Sequence, residues 1–259
     1  MSRSHVSASG RFTLDSVSKT LKVLKCFTRE NPVWRVSELA RELNMTKSSV
    51  SRILSTLASE GFVIQDPDSR SFRIGTVVLS IGDACRSSYE VFHESRPILK
   101  ELVENVHETV QLSVLENIEV VIIESIEGKH PMRYTASVGS RSPVHCSSSG
   151  KALLGFRSDD LIDRVIEAGL PAWTSRTITD AQAFREEMRR IRKQGYAISN
   201  EERFEGVTAI AAPVLDDKGN AIAAVNVVGP TYRIKRENLD RCIRHLTKAA
   251  QLISKSMGY

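Results

Sequence analysis

The stretch from Val36 to Gly61 constrains the fold of this chain more than any other, because it contains two short amphipathic patterns separated by a break. In each pattern, apolar residues recur three and four positions apart, as on one buried face of an α-helix. Asn44 interrupts the repeat, and Thr46 is a good N-cap because its hydroxyl can accept a bond from an unpaired backbone N–H. The spacing predicts two packed helices joined by a tight turn. Their inward residues are Val36, Leu39, Ala40 and Leu43 in the first and Val50, Ile53, Leu54 and Leu57 in the second.

The outward face of the second helix carries small hydroxyls and two cations, and it has no acidic residue before Glu60. Solvated helix faces are more often filled with Glu and Lys. Small side chains let a helix lie deep in the major groove of B-DNA, where Lys and Arg can neutralise phosphates. The face consists of Lys47, Ser48, Ser51, Arg52, Ser55 and Ser59. We expect contacts with double-stranded DNA from Thr46, Lys47, Ser48, Ser49, Ser51 and Arg52.

A β-hairpin is predicted directly after this helix. Gly61 is suited to end the helix, and two β-branched and aromatic segments, 62–65 and 70–74, flank the turn sequence Asp66-Pro67-Asp68-Ser69. Two such helices followed by a hairpin form a winged helix. Arg70, at the hairpin tip, and Arg73, on its polar face, are then expected to contact the DNA backbone or minor groove. The alternative is a small helical corner with a hairpin in an enzyme or an adaptor.

Length and charge support a division into a basic part and a neutral part. At 259 residues, two domains are expected. Residues 1–86 contain 13 Lys and Arg against 8 Asp and Glu, so the whole formal net charge of +5 belongs to them. A polyanion would bind at such a surplus. We expect a flexible tail at 1–13, a winged helix-turn-helix at 14–75, a linker helix at 76–88 and a second domain at 89–259.

Several classes of protein are disfavoured by composition. No run approaches the ~20 apolar residues of a membrane span, and the first residues lack the apolar core of a signal peptide. We therefore expect a cytoplasmic protein with no membrane contact. The four cysteines are far apart, with neither a C-x-x-C pair nor zinc-ligand spacing, which indicates reduced thiols, no metal site and no cofactor. They are Cys26, Cys85, Cys146 and Cys242.

The predicted elements of the second domain alternate in a way that favours an antiparallel α+β fold over a doubly wound sheet. The turn sequence of residues 216–220 is a strong hairpin signal between two of its strands. In the first domain, an additional helix capped by Asp15 or Ser16 is expected to direct Val17, Leu21, Leu24 and Phe27 inward. The predicted strands of the second domain are 110–115, 120–126, 133–138, 196–200, 208–215 and 221–228. Directly after the linker we predict a helix with the apolar face Val91, Ile98, Leu102, Val103 and Val106. The later predicted helices are 147–156, 159–168, 180–194 and 238–257.

Nearly the whole chain resembles the IclR-type transcription regulators. In the N-terminal part the resemblance is carried by LDSVSKTLKVLKCF, VSELARELNMTKSSVSRILSTLASEGFV and FRIGTVVLSIG, and later by HETVQLSVLE, RYTASVGSRSPVHCSSSGKALLGF and GYAISNEERFEGVTAIAAPVLDDKGNAIAAVNVVGP. The resemblance implies a winged helix, a dimerising linker helix and a GAF-like effector domain. It also implies a homodimer or dimer of dimers on a pseudo-palindromic operator, acting as a repressor or, in some members, an activator. The implied effectors are small organic or aromatic acids from a catabolic route.

The resemblance also implies an effector pocket between the sheet and the loop before the GKALL helix. Orphan backbone N–H groups and hydroxyls at that helix start suit a carboxylate. The family often has Gly or Ala where this chain has Ser148 and Ser149, so we expect a pocket rich in hydroxyls. The pocket residues carried over are Tyr134, His145, Ser147, Ser148, Ser149, Ser199, Asn200, Ala209, Asn226 and Val228.

Some polar residues of this part leave two interpretations open. Asn226 lies in an otherwise apolar strand, and a buried amide needs a partner, which is either an effector or a neighbouring loop. Arg133, Arg141 and Arg203 could each bind an acid, but surface or structural roles are more common for arginine.

Two other functions would use the same segment. An enzyme could use Ser148 and Lys151, which have the S-x-x-K spacing of penicillin-binding enzymes, but the companion S-D-N and K-T-G motifs are absent. Lys151 is then more simply a solvated residue. Cys146 beside His145 suggests a thiol nucleophile, but adjacent residues rarely face each other.

A ligand-independent DNA-binding adaptor instead predicts a fully packed second domain. We expect a ligand-responsive transcription regulator that represses a catabolic operon, and no enzyme activity.

Overall fold

The computed structural model describes residues 14–235 and 237–258, and the predicted tail of residues 1–13 lies outside them. The chain divides into two compact units, residues 1–85 and 86–259. The division falls within helix α4 (Val77–Ser87), inside the segment in which the sequence predicts a linker helix. The domain boundaries drawn from the sequence remain predictions.

The first unit contains the predicted helix-turn-helix and hairpin. The Thr46 hydroxyl caps α3 by accepting a bond from the Ser49 N–H at 3.3 Å, and Gly61 follows the helix with a φ of +73°. A short strand that the sequence analysis missed, β1, joins the hairpin in an antiparallel sheet of order β1-β3-β2. The elements are α1 (Asp15–Lys25), β1 (Val33–Trp34), α2 (Val36–Glu42), α3 (Lys47–Ser59), β2 (Val63–Gln65) and β3 (Phe72–Ile74).

The eight apolar residues predicted for the inner faces of α2 and α3 pack in one core with α1 and the hairpin. For α1 the prediction is partly wrong, because Val17 and Leu21 are about half exposed and Val23 is fully buried. Leu21 lies two residues, or about 200°, from Val23 around the helix, so the two cannot share a face. Leu24 and Phe27 do pack against the core. The helix also begins without the predicted side-chain cap, since Leu14 occupies the N-cap.

The second unit is built on one antiparallel sheet of six strands in the order β6-β5-β4-β9-β8-β7. Its fold is the predicted antiparallel α+β architecture. The elements are α5 (Glu90–Val106), β4 (Thr109–Glu116), β5 (Glu119–Ile126), β6 (Arg141–Pro143), α6 (Ser148–Gly155), α7 (Asp159–Ala168), α8 (Ala181–Gln194), β7 (Ala197–Asn200), β8 (Val207–Leu215), β9 (Ala221–Pro230) and α9 (Glu237–Ser256).

The strand predicted over residues 133–138 is wrong. Those residues are irregular, and the strand that pairs with β5 lies later, at Arg141–Pro143. Just before this strand, Gly139 donates to the Ile122 carbonyl of β5 and the Ile122 N–H donates to the Ser140 carbonyl. Alternating side chains alone do not make a strand, because a strand also needs a neighbour for its backbone bonds.

The two faces of the six-stranded sheet differ in chemistry. Helices α5 and α9 cover a face on which β4 directs Val110, Leu112 and Val114 into a large apolar core. Helix α6 covers the other face, where β4 instead directs Gln111 and Ser113. Side chains of a strand alternate between faces, so the alternating sequence of β4 places a polar row under α6. No helix in residues 14–235 or 237–258 is long and apolar enough to cross a membrane.

Helix α6 begins very close to the preceding loop, and this contact requires Gly150. A Cβ at Gly150 would lie 2.4 Å from both Cα and O of Val144. We expect Gly150→Ala to destabilise the second unit by more than ~1 kcal/mol, because backbone atoms cannot move aside cheaply. Urea unfolding followed by circular dichroism measures the change.

Gly82→Ala is the matched control for Gly150→Ala. Apart from the backbone of its own helix and its chain neighbours, none of the described atoms lies within 4 Å of a Cβ at Gly82, which is a helical position in α4. This substitution should be neutral or stabilising by up to about 1 kcal/mol. Equal effects of the two substitutions would contradict the assigned role of Gly150.

Candidate functional site

The predicted DNA-contacting residues of α3 lie together on one accessible surface. Thr46, Lys47, Ser48, Ser51 and Arg52 are exposed, and Ser49 is partly buried. None of the carboxylates in the described residues lies within ion-pair distance of Lys47 or Arg52, so both cations can be offered to another molecule. On the inner face of α3, Val50 and Leu54 are fully buried and pack in the core of the first unit.

A groove between α1 and α3 extends this surface. Arg52 lies in it, and α1 contributes Lys19, whose ammonium contacts the Asp15 carboxylate at 2.5 Å. This contribution of α1 cannot be recognised from the sequence, since no local signal places the two helices side by side. The groove is lined by Asp15, Ser16, Lys19, Thr20, Thr46, Ser48, Ser49, Arg52, Ile53 and Thr56.

The hairpin presents Arg70 and Arg73, both of which are exposed. Its turn is organised by the Asp66 carboxylate, which accepts bonds from the backbone N–H and the hydroxyl of Ser69 at 2.7 and 2.8 Å. These bonds hold the pKa of Asp66 below its ordinary value. Arg70 follows the turn in the left-handed region, with a φ of +58°.

A cavity lies in the second unit on the α6 side of the sheet. It encloses about 530 Å³ of empty space, including its open mouth. Its wall combines the polar row of the sheet with the start of α6 and the loop after β7. The lining residues are Gln111, Ser113, Val120, Ile122, Tyr134, Ser142, Ser147, Ser148, Ser149, Ser199, Arg203, Phe204, Val207, Ala209, Asn226 and Val228.

Eight of the ten residues expected to form the pocket line this cavity. They are Tyr134, Ser147, Ser148, Ser149, Ser199, Ala209, Asn226 and Val228. For His145 and Asn200 the placement in the lining is wrong. The His145 ring instead bonds the Pro171 carbonyl at 3.0 Å, and Asn200 is exposed, with its side-chain oxygen accepting from the Thr208 hydroxyl at 3.2 Å.

The cavity contains hydrogen-bonding capacity that the described residues do not use. Asn226 Nδ2 donates to Gln111 Oε1 at 3.1 Å, so the amide pairs with the neighbouring strand rather than with a loop. The other ends of both amides, Gln111 Nε2 and Asn226 Oδ1, are buried without a partner, as is Ser113 Oγ. Unpaired buried polar atoms cost free energy, so a polar ligand or water that satisfied them would be stabilised there.

Arg203 is the only charged side chain in the described lining of the cavity. Its guanidinium carbon lies 4.2 Å from the centroid of the Trp173 ring and 5.1 Å from that of Phe204. Its Nε and Nη1 are buried and have no hydrogen-bond partner among the residues that the structure describes. The sequence left Arg203 open between acid binding and a surface or structural role, and only its position between two rings at the cavity reveals the unused donors.

Lys151 is not the solvated residue that the sequence analysis expected. It is completely buried, and its ammonium donates to Glu187 Oε1 at 3.1 Å, to the Ile198 carbonyl at 2.6 Å and to Glu202 Oε1 at 2.6 Å. Burial raises the pKa of Glu202, and Lys151 opposes this shift. A position in α6 facing β7 and α8 cannot be recognised from the local sequence, because both carboxylates lie more than 35 residues away.

These contacts disfavour the enzyme alternatives for the same segment. All three donors of Lys151 are engaged, so it is not available as a base for Ser148. Burial raises the pKa of the Cys146 thiol, which disfavours the reactive thiolate. No cluster of His, Cys, Asp and Glu with metal-binding geometry occurs in the part of the chain that the structure describes.

Comparison with known proteins agrees with this arrangement of a helix-turn-helix followed by a cavity-bearing domain. Residues 16–67 match the IclR helix-turn-helix domain, and residues 84–255 match the domain described as bacterial transcriptional regulator IclR C-terminal. The chain belongs to the IclR family. It is therefore a DNA-binding transcription regulator, and the relatives that it matches are regulators and repressors rather than enzymes.

Individual relatives extend over nearly the whole chain. The chain is 32% identical to the HTH-type transcriptional regulator KdgR of Escherichia coli (strain K12), over 95% of this chain and 94% of that protein. It is 29% identical to the transcriptional repressor IclR of the same organism, over 95% and 90%. An IclR homologue of Microbacterium hydrocarbonoxydans, crystallised with 4-hydroxybenzoate, shares the fold with a TM-score of 0.81 at 23% identity, over 94% of this chain and 99% of that one.

Replacement of Lys151 tests the buried ion pair. We expect Lys151→Met to destabilise the second unit by about 3–5 kcal/mol, because Glu202 would lose its cation while remaining buried. The control is Lys129→Met, which removes an ion pair between half-exposed Lys129 and exposed Glu104 and should cost less than ~1 kcal/mol. Urea unfolding at neutral pH measures both variants. Similar losses in the free energy of unfolding would contradict a larger contribution from the buried ion pair.

His145 should make the stability of the protein depend on pH. Burial, opposed by its bond to Pro171 and aided by the charges of Arg203 and Lys151, lowers the pKa of His145 below 6.5. The unfolded chain therefore binds the proton more readily, and stability is lost as the pH falls below about 6.5. We expect the stability advantage of the wild type over His145→Gln to shrink between about pH 7 and pH 5. A constant difference in the free energy of unfolding would contradict this.

Proposed function

We propose that this IclR-family regulator represses a catabolic operon by binding a pseudo-palindromic operator, and that a small organic or aromatic acid in the α6 cavity changes that binding. The observation that carries the proposal is the joint occurrence of an exposed basic α3 face and a cavity with unsatisfied polar atoms. An adaptor without a ligand would have no reason to keep buried polar atoms unpaired. The proposed DNA contacts are Thr46, Lys47, Ser48, Ser49, Ser51, Arg52, Arg70 and Arg73.

We also propose that the protein acts as a homodimer or a dimer of dimers. A two-fold symmetric protein matches a palindromic operator whose half-sites are about one helical turn apart. Helix α4 joins the DNA-binding part to the cavity-bearing part, so an effector that favours one arrangement of the dimer can alter the spacing of the two winged helices. An effector that leaves operator affinity, assembly and transcription unchanged would contradict this coupling.

The first experiment measures binding of the full chain to its own upstream DNA at stated salt, with and without small acids. 4-Hydroxybenzoate is the first aromatic probe, because a protein of the same fold was crystallised with it. Sequence-specific binding that one acid modulates would support the proposal. Binding that depends on salt but not on sequence would reduce the protein to a general DNA binder.

Arg52 tests the assignment of α3 to the major groove. We expect Arg52→Ala to weaken operator binding by about 1–3 kcal/mol if its guanidinium reads a guanine, and to reduce discrimination at that base pair. A phosphate contact would instead weaken binding to all sequences equally and lower the salt dependence. Fluorescence anisotropy with operator and scrambled DNA separates the two.

Arg189→Ala removes the same charge from an exposed site on α8 in the second unit and serves as the control for Arg52→Ala. It should leave operator affinity nearly unchanged. Unchanged affinity in Arg52→Ala, or equal loss in both variants, would contradict a specific role of Arg52.

A further inference from the structure

Arg203 has donors that the protein itself does not satisfy, in a cavity with no acidic lining. Its Nε and Nη1 are buried without a partner, and none of the sixteen described lining residues is Asp or Glu. Arg203 as a whole is only partly buried, but buried N–H groups that lack an acceptor are costly, and a carboxylate is the group that the planar fork of a guanidinium fits best. We infer that Arg203 receives the carboxylate of the effector.

The surroundings of Arg203 hold the guanidinium in place for this role. Trp173 and Phe204 both lie within cation–π distance of its guanidinium, an arrangement that restrains it while leaving the edge with its N–H groups available. The residue before it, Glu202, is fixed through its carboxylate by Lys151 and through its backbone carbonyl by the Thr177 hydroxyl at 2.6 Å. The loop that carries Arg203 is thus anchored before any ligand arrives, which reduces the entropy lost on binding.

The remaining unsatisfied atoms indicate what the other end of the effector must offer. Gln111 and Ser113 lie on β4 and Asn226 on β9, the two central strands, whereas Arg203 follows the edge strand β7. Their free groups are uncharged donors and acceptors, and no second cation lines the described cavity. A second carboxylate would be desolvated there without a counter-ion. Next to these strands the effector therefore has an uncharged hydroxyl, oxo or amide group, away from the carboxylate that Arg203 receives.

This inference rests on the proposed function, and a set of matched probes tests it by calorimetry on the full chain. The aromatic set is 4-hydroxybenzoate, its neutral amide 4-hydroxybenzamide and the dicarboxylate terephthalate. The aliphatic set is lactate, lactamide and tartronate. In at least one set we expect the monocarboxylate to bind about tenfold or more tightly than both its amide and its dicarboxylate analogue.

Variants at Arg203 assign the preference to this residue. Arg203→Gln should weaken binding of the preferred acid by about ten- to a hundredfold and remove its advantage over the amide, because the charged hydrogen bonds are lost. Arg203→Lys keeps the charge without the planar fork and should lie between Arg203→Gln and the wild type. Arg141→Gln is the control, since Arg141 is already paired with Glu116 and Glu119 and lies outside the cavity lining.

Trp173 provides a second readout, because its ring packs on the guanidinium and the only other tryptophan is Trp34 in the first unit. Binding of the acid should change tryptophan fluorescence in the wild type and not in Trp173→Phe. Unfolding curves and operator binding of each variant establish that it is folded.

The possible results separate this inference from the proposed function. Three results would overturn the role of Arg203. They are undiminished acid binding by Arg203→Gln, equal binding of amide and acid, and no binding of either monocarboxylate at the highest concentration tested. If operator binding persisted and responded to a neutral compound, the regulator function would stand without the proposed role of Arg203. Absence of sequence-specific DNA binding would instead overturn the proposed function.

Discussion

The buried ammonium of Lys151 is the interaction on which the second unit most depends. It links α6 to the loop after β7 through Glu202, to α8 through Glu187 and to the β7 backbone through Ile198. A buried ion is tolerated only when its partners compensate the loss of water. Since the partners come from three separate elements, the ion pair is formed only when all three are correctly placed. It therefore couples the position of the α6 start to the loop that carries Arg203.

The six-stranded sheet extends this logic by dividing its two faces between stability and recognition. The face under α5 and α9 is filled with Val, Ile, Leu and Ala and supplies most of the apolar burial. The opposite face has an apolar cluster under α6 and α8, next to a polar row that lines the cavity. The polar row costs stability where its atoms lack partners. Such a cost is expected where a protein is built to bind a ligand rather than to pack.

Charge is distributed between the units in a similar division of roles. The cations of α3 and the hairpin are presented on the surface, where phosphates would meet them. The charges of the cavity region are mostly internal: Lys151 is fully compensated, while Arg203 is not. The proposed regulator would use a surface that attracts DNA and an internal group whose energy changes when a small anion binds. The two groups of cations in this chain fit those two requirements.

The sequence by itself determined the features that depend on neighbours along the chain. The helix-turn-helix, the cap at Thr46 and the hairpin strands β8 and β9 follow from local periodicity and turn chemistry. With the resemblance to the family, it also indicated most of the cavity lining. Only the tertiary structure decided the burial of Lys151, the inward placement of Arg203, the exposure of Val17 and Leu21, and the strand at β6 rather than at 133–138. Each of these depends on partners distant in sequence: a carboxylate, an aromatic ring, a packed helix or a strand edge. Local pattern cannot specify such partners, because the same residues would be solvated or unpaired in another packing arrangement.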